Sequence, residues 1–158
     1  MRPHYSIDYL DRVFGGKNVF DLWSLLTTLE RHVPLPQKSW LFCRLLEWMS
    51  STRSGVWTYY EATSETAQSH ISSVIQHYPE LGSFSEYYDR GMMTWTSEQE
   101  IGHVDRWIDS HEAQIHSSLM QLARDEKPLI MKLNAEPEPT PNGVPGTSIA
   151  TPDGESHR

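Results

Sequence analysis

Glu98, Asp105, Asp109 and Glu112 recur at spacings of seven, four and three. On a helix that turns about 100° per residue they fall within roughly 60° of one another, as one carboxylate row. Asp109 and Glu112, three apart on that face, have the residue types for acid–base or metal chemistry, which would also need a lined pocket. An exposed polar face is the simpler reading. The adjoining His111-Glu112-Ala113-Gln114-Ile115-His116 approaches the H-E-x-x-H zinc pattern, but its histidines are five apart. That separates them by about 140° on a regular helix, too far to share one metal. His111 fits the edge of a core instead. His70 and His77, seven apart, share a helix face. With His103 or nearby carboxylates they would suit a metal site built across a bundle, against the plainer reading of surface histidines.

Other nucleophile and ligand patterns are weaker. Gly15-Gly16-Lys17 lacks the upstream glycine and the following Ser or Thr of a Walker phosphate loop, so it reads as a turn. Cys43, the only cysteine, lies on an apolar helix where a thiol packs rather than reacts. Trp57, Tyr59 and Tyr60 have faces on which bases could stack, but the charge around them is wrong for gathering phosphates. These patterns imply no catalytic residue, metal or cofactor.

Charge is the stronger signal. Residues 54 to 126 hold twelve of the 21 acidic side chains against Arg90, Arg106 and Arg124, a net of −9, and contain no lysine. Residues 1 to 53 carry five acidic and seven basic side chains, a net of +2. A field sorted in this way attracts basic protein surfaces and repels nucleic acid and anionic membrane. The 158 residues suit one domain. A single cysteine allows no intrachain disulfide and favours a reducing compartment, and neither a signal-peptide run nor about 20 consecutive apolar residues occurs. The expected location is the cytoplasm.

Hydrophobic periodicity supplies the elements that position these residues. Asn18 caps a helix over about 19–32, and a second, central helix covers about 37–51. Residues 54–60 read as an aromatic connection. Ser64 caps a helix that Pro79 closes, and Ser83 with Glu86 offers a capping box for a short helix to about Met92. Ile101, Val104, Ile108, Ile115, Leu119 and Leu122 keep one phase, which predicts a single long helix over about 97–125, with Thr96 and Gln99 as its capping box and Trp107 either anchoring the core or packing on a second subunit. The expected fold is all-α, a single irregular bundle of about five helices over residues 1–133 with a long C-terminal helix. The Pro-, Gly-, Ser- and Thr-rich stretch 134–158 reads as a disordered tail.

Three segments carry a resemblance: Ser54-Gly55-Val56-Trp57-Thr58-Tyr59-Tyr60, Tyr78-Pro79-Glu80-Leu81 and Val104-Asp105-Arg106-Trp107-Ile108. Their order resembles a bacterial helical family of once-unknown function that includes acidic DNA-mimic proteins and relatives found near toxin and immunity genes. The first segment looks like that family's Asn-Gly-Gly-aromatic segment, with Ser54 in place of Asn and Val56 in place of the second Gly. The resemblance spans about residues 54 to 110 and implies a helical body, possible dimerisation, and binding to a DNA-binding protein in place of DNA.

One helical row of carboxylates advances about 6 Å every four residues, against about 3.4 Å per charge along a DNA strand. Mimicry therefore requires a second row beside the first, for which Glu61, Glu65, Glu80, Glu86 and Asp89 are available. The expectation is a non-enzymatic protein that binds the basic site of a protein partner, a DNA-binding regulator or toxin nuclease, through Glu98, Asp105, Asp109, Glu112, Glu61 and Glu65. The alternative is a helical-bundle metalloenzyme or small-molecule-binding protein.

Overall fold

Ser6, Asn18, Ser64 and Ser97 each accept a backbone N–H from the turn that follows, and each starts a helix. The computed structural model describes residues 1–138, and these are all-helical. In order the helices are α1 (Ile7–Gly15), α2 (Val19–Glu30), α3 (Gln37–Ser50), α4 (Trp57–Ala62), α5 (Glu65–Ile75), α6 (Gly82–Thr94), α7 (Glu98–Ser110), α8 (Glu112–Arg124) and α9 (Lys127–Ala135). Short 3-10 turns at Ser51–Arg53 and Pro79–Leu81 precede α4 and α6.

Two expectations are corrected. The described residues form nine helices rather than about five, eight of them seven residues or longer. There is also no single long C-terminal helix, because the run over 97–125 breaks at His111, whose φ of −118° and ψ of 15° are not helical. Side chains compete for the last carbonyls of α7: Ser110 Oγ donates to the Arg106 carbonyl (2.6 Å), and His111 Nδ1 bonds the Trp107 carbonyl (2.8 Å). The two halves also pack on different partners, α7 mainly on α6 and α8 mainly on α3. Trp107 anchors this junction, stacked on Tyr87 at 4.3 Å and on His111 at 5.2 Å.

Helix α3 is the centre. Leu41, Phe42, Cys43, Leu45, Leu46 and Trp48 are buried on it, and α2, α5 and α8 surround it. Burial pushes the Cys43 thiol well above its ordinary pKa, in keeping with a packing role. Polar side chains from the C-terminal part close the helix ends that lack their own caps. Arg124 donates to the Phe14 and Gly16 carbonyls at the end of α1, both at 2.7 Å. Glu126 accepts from the backbone and hydroxyl of Ser39 in the first turn of α3. Asn134 exchanges two hydrogen bonds with the backbone of Tyr5 (2.8 and 2.9 Å), so α9 holds the N-terminal segment. Asn134 and Ala135 are thus helical, and the remainder of the expected tail, from 139, lies outside the described residues.

Six residues are too few for a helix to be stable alone, so α4 depends on what it touches. Tyr60 is buried beneath it. The Tyr60 hydroxyl donates to the Tyr88 carbonyl of α6 (2.8 Å) and accepts from Trp48 Nε1 of α3 (2.9 Å). A β-carbon at Gly91 would lie 2.3 Å from that hydroxyl oxygen, so only glycine leaves the space. Gln68 closes the C-terminal end of α4 by donating to the Tyr60 and Thr63 carbonyls (2.9 and 2.7 Å).

Alanine is favoured over glycine by about 1 kcal/mol in an ordinary helix. At Gly91 the sign reverses: Gly91→Ala is expected to destabilise the fold by about 1–3 kcal/mol through overpacking against Tyr60. Urea denaturation of the two proteins checks this, and an alanine variant as stable as the parent would contradict it.

Candidate functional site

Of the twelve carboxylates between residues 54 and 126, five are used inside the fold. Asp125 pairs with Lys38 (2.9 Å) and Glu100 with Arg90 (3.6 Å). Asp89 accepts from the Ser72 hydroxyl, Glu126 from Ser39, and Asp105 from the backbone N–H of Val56. The other seven, Glu61, Glu65, Glu80, Glu86, Glu98, Asp109 and Glu112, are exposed, and their side chains have no ion pair or hydrogen bond among the described residues.

The expected carboxylate row is therefore not continuous. Asp105 turns inward: its Oδ1 accepts from Val56 at 2.8 Å, and Val56, fully buried, sets the start of α4. This gives Asp105 a positioning role for the loop. The break at His111 then separates Glu112, the first residue of α8, from the end of α7. Asp109 and Glu112 still share a groove of about 710 Å³ with Phe20, Arg53, Ser50, Thr52 and His116. Arg53 makes that groove mixed in charge, and Phe20 meets His116 edge-on at 6.1 Å. Glu98 lies elsewhere, in a groove with Trp57, Trp95 and Ile101. Glu80 lines a third concavity beside Ser118 and Asp125. The acidic residues thus open onto several concave surfaces.

Local helix electrostatics divides them further. Glu65, Glu98 and Glu112 are each the first residue of a helix, where the positive end of the dipole favours a carboxylate. Glu61 and Asp109 stand in the last turns of α4 and α7, where the same dipole disfavours it by about 0.3–1 kcal/mol each. Neither turn contains a basic residue to offset the cost.

The histidines do not converge. His70 packs against Trp40 (5.1 Å), His77 bonds the Ser73 carbonyl (2.8 Å), and His103 meets Arg106 (2.9 Å). Among the described residues no three His, Cys, Asp or Glu side chains are grouped as a metal ion needs. No helix among them is long and apolar enough to cross a membrane.

Trp57, Trp95, Phe20 and Arg53 complete these grooves and were not among the residues the sequence singled out for binding. Trp57 gave a signal as an aromatic, but an exposed tryptophan and a core one look alike in sequence. Arg53 gave none, because only the tertiary fold brings it beside Asp109. No protein-family model matches the chain, and neither does a curated protein or a solved structure.

Asp105→Ala is expected to cost about 1–3 kcal/mol, the penalty for leaving the Val56 N–H without an acceptor. Asp105→Asn keeps an acceptor and should cost less. Burial, the largest influence, raises the Asp105 pKa, with Asp109 adding to it and the Val56 N–H acting against it. The folded state therefore holds this proton more tightly than the unfolded chain. The Asp105 contribution to stability is greatest in acid and declines as pH rises from about 4 through the raised value. Relative to the parent, Asp105→Asn should gain stability between about pH 3 and pH 7, measured by denaturation across that range. A difference that shrinks toward neutral pH would contradict this assignment.

Proposed function

We propose that this chain is a non-enzymatic cytoplasmic interaction protein whose acidic surface occupies the basic site of a protein partner, of the kind found on a DNA-binding regulator or a toxin nuclease. The observation that carries the reading is the set of seven exposed carboxylates with no partner among the described residues, in a stretch without lysine. Glu61 weighs most, because it stands where its own helix opposes it and no basic residue lies in that turn. A charge kept at a local cost is explained by a gain elsewhere, and cations on a partner supply that gain.

The acids surround several grooves, which fits a binder that places separate carboxylates on separate basic side chains better than one that copies the phosphate spacing of a DNA strand. Such a surface raises the rate of encounter with a cationic partner, and the grooves then decide which partner fits.

The test uses the conflict between local stability and binding. Glu61→Lys with Asp109→Lys relieves both dipole conflicts; Glu61→Lys alone should raise stability by about 0.3–1 kcal/mol, whereas the gain at 109 is offset by repulsion from Arg53 in the same groove. The same double variant should lose capture of a basic DNA-binding or nuclease protein that the parent retains from host lysate at about 50 mM salt, where screening is weak. Excess duplex DNA should release that protein from the parent. Equal capture by parent and variant would reject these carboxylates as the binding face.

A further inference from the structure

We infer that the groove walled by Trp57 and Trp95 and edged by Glu98 is a recognition site for an arginine side chain of the basic partner, an assignment that rests on the acidic-surface reading and locates its anchor. The groove, of about 470 Å³, is floored by Ile101 and lies between the start of α4 and the start of α7. Trp57 is 41% exposed, which leaves much of an indole in water on a side chain that could have been buried. Glu61, one turn on from Trp57, stands on the same face of α4. Two indole rings with the Glu98 carboxylate at the rim match a guanidinium: its plane stacks on a ring, its charge meets the ring's negative face, and its N–H groups reach the carboxylate. An ammonium offers a point charge without the plane.

One edge of the exposed indole is backed by the main chain. Gly55 has φ +91°, a left-handed conformation that suits glycine, and a β-carbon there would lie 2.6 Å from Trp57 Cδ1. The ring edge therefore rests on the glycine backbone. Asp105 fixes the next residue by accepting the Val56 N–H, and Tyr60 holds α4 from beneath. The backbone that presents the indole is thus set by inward contacts, and an exposed ring on a fixed helix is placed as an interface anchor. Charge decides the occupant: Glu98 and Glu61 are unpaired among the described residues, so a cationic group gains what an apolar face would not.

The probes are a nona-arginine and a nona-lysine peptide, titrated at about 50 mM salt into the full chain while the indole N–H signals are followed by NMR, with Trp→Phe variants assigning Trp57 and Trp95. The arginine peptide should shift both signals and bind several-fold more tightly than the lysine peptide. Trp57→Ala should weaken arginine binding about five- to tenfold and remove the preference over lysine, in line with a cation–π contact of about 1 kcal/mol or a little more. Glu98→Gln, which leaves both rings in place, should weaken both peptides to a similar degree. If both peptides bind the parent equally and Trp57→Ala changes nothing, the groove assignment is overturned while the acidic-surface reading stands. If neither peptide binds, both fall. A parent that sediments as a dimer and a Trp57→Ala variant that sediments as a monomer would give the groove to a second copy of the chain, and would overturn the assignment.

Discussion

The buried hydroxyl of Tyr60 is the constraint on which the outward-facing part of the molecule depends. It joins three helices by donating to the Tyr88 carbonyl of α6, accepting from Trp48 of α3, and belonging itself to α4. A phenol in this position must stay neutral to donate, and burial keeps it so by pushing its pKa upward. Its fit demands glycine at 91. The result is that a helix of six residues, unable to persist alone, is fixed at its start by Asp105, at its end by Gln68 and from beneath by Tyr60. What α4 then presents to solvent, Trp57 and Glu61, is set by these inward contacts.

Acidic side chains do two kinds of work here. Asp105 and Glu126 satisfy backbone N–H groups that no local cap reaches, and Asp125 and Glu100 meet Lys38 and Arg90. Exposed pairs of this sort contribute little stability. The partly buried hydrogen bond from Val56 matters more, because leaving that N–H without a partner would be costly. The remaining seven point to water, and two of them oppose their own helix dipoles. Fold and surface therefore draw on the same residue type in one sequence segment, and net charge alone cannot separate the two uses.

That mixing explains what was legible in the sequence. The apolar periods and capping residues of α2, α3 and α5 identify them, since Asn18 and Ser64 accept the bonds their positions imply. Helix α1 was not legible, because Leu10, Val13 and Phe14 give too short a pattern, and α9 buries only Ile130 as an apolar anchor. The break at His111 is invisible to periodicity: Ile108 and Ile115 are both buried, seven residues apart, whether or not the helix is interrupted between them. The cap of α7 is Ser97, one residue past the expected Thr96. Asp105 belonged to the right helix face, yet the N–H that turns it inward lies 49 residues away, beyond any local pattern. The grooves depend on such distant pairings, which is why the carboxylates were legible and the tryptophans and Arg53 beside them were not.

The central claim is that the exposed carboxylates bind cations on a protein partner. The most direct measurement is the dissociation constant of the captured complex, followed by calorimetry from about 50 to about 300 mM salt, over which the screening length falls from about 14 to about 6 Å. Affinity should fall steeply and monotonically with salt, through faster dissociation and slower association together. An affinity that is flat or rises across that range would mean that apolar contact drives the association, and would contradict the account.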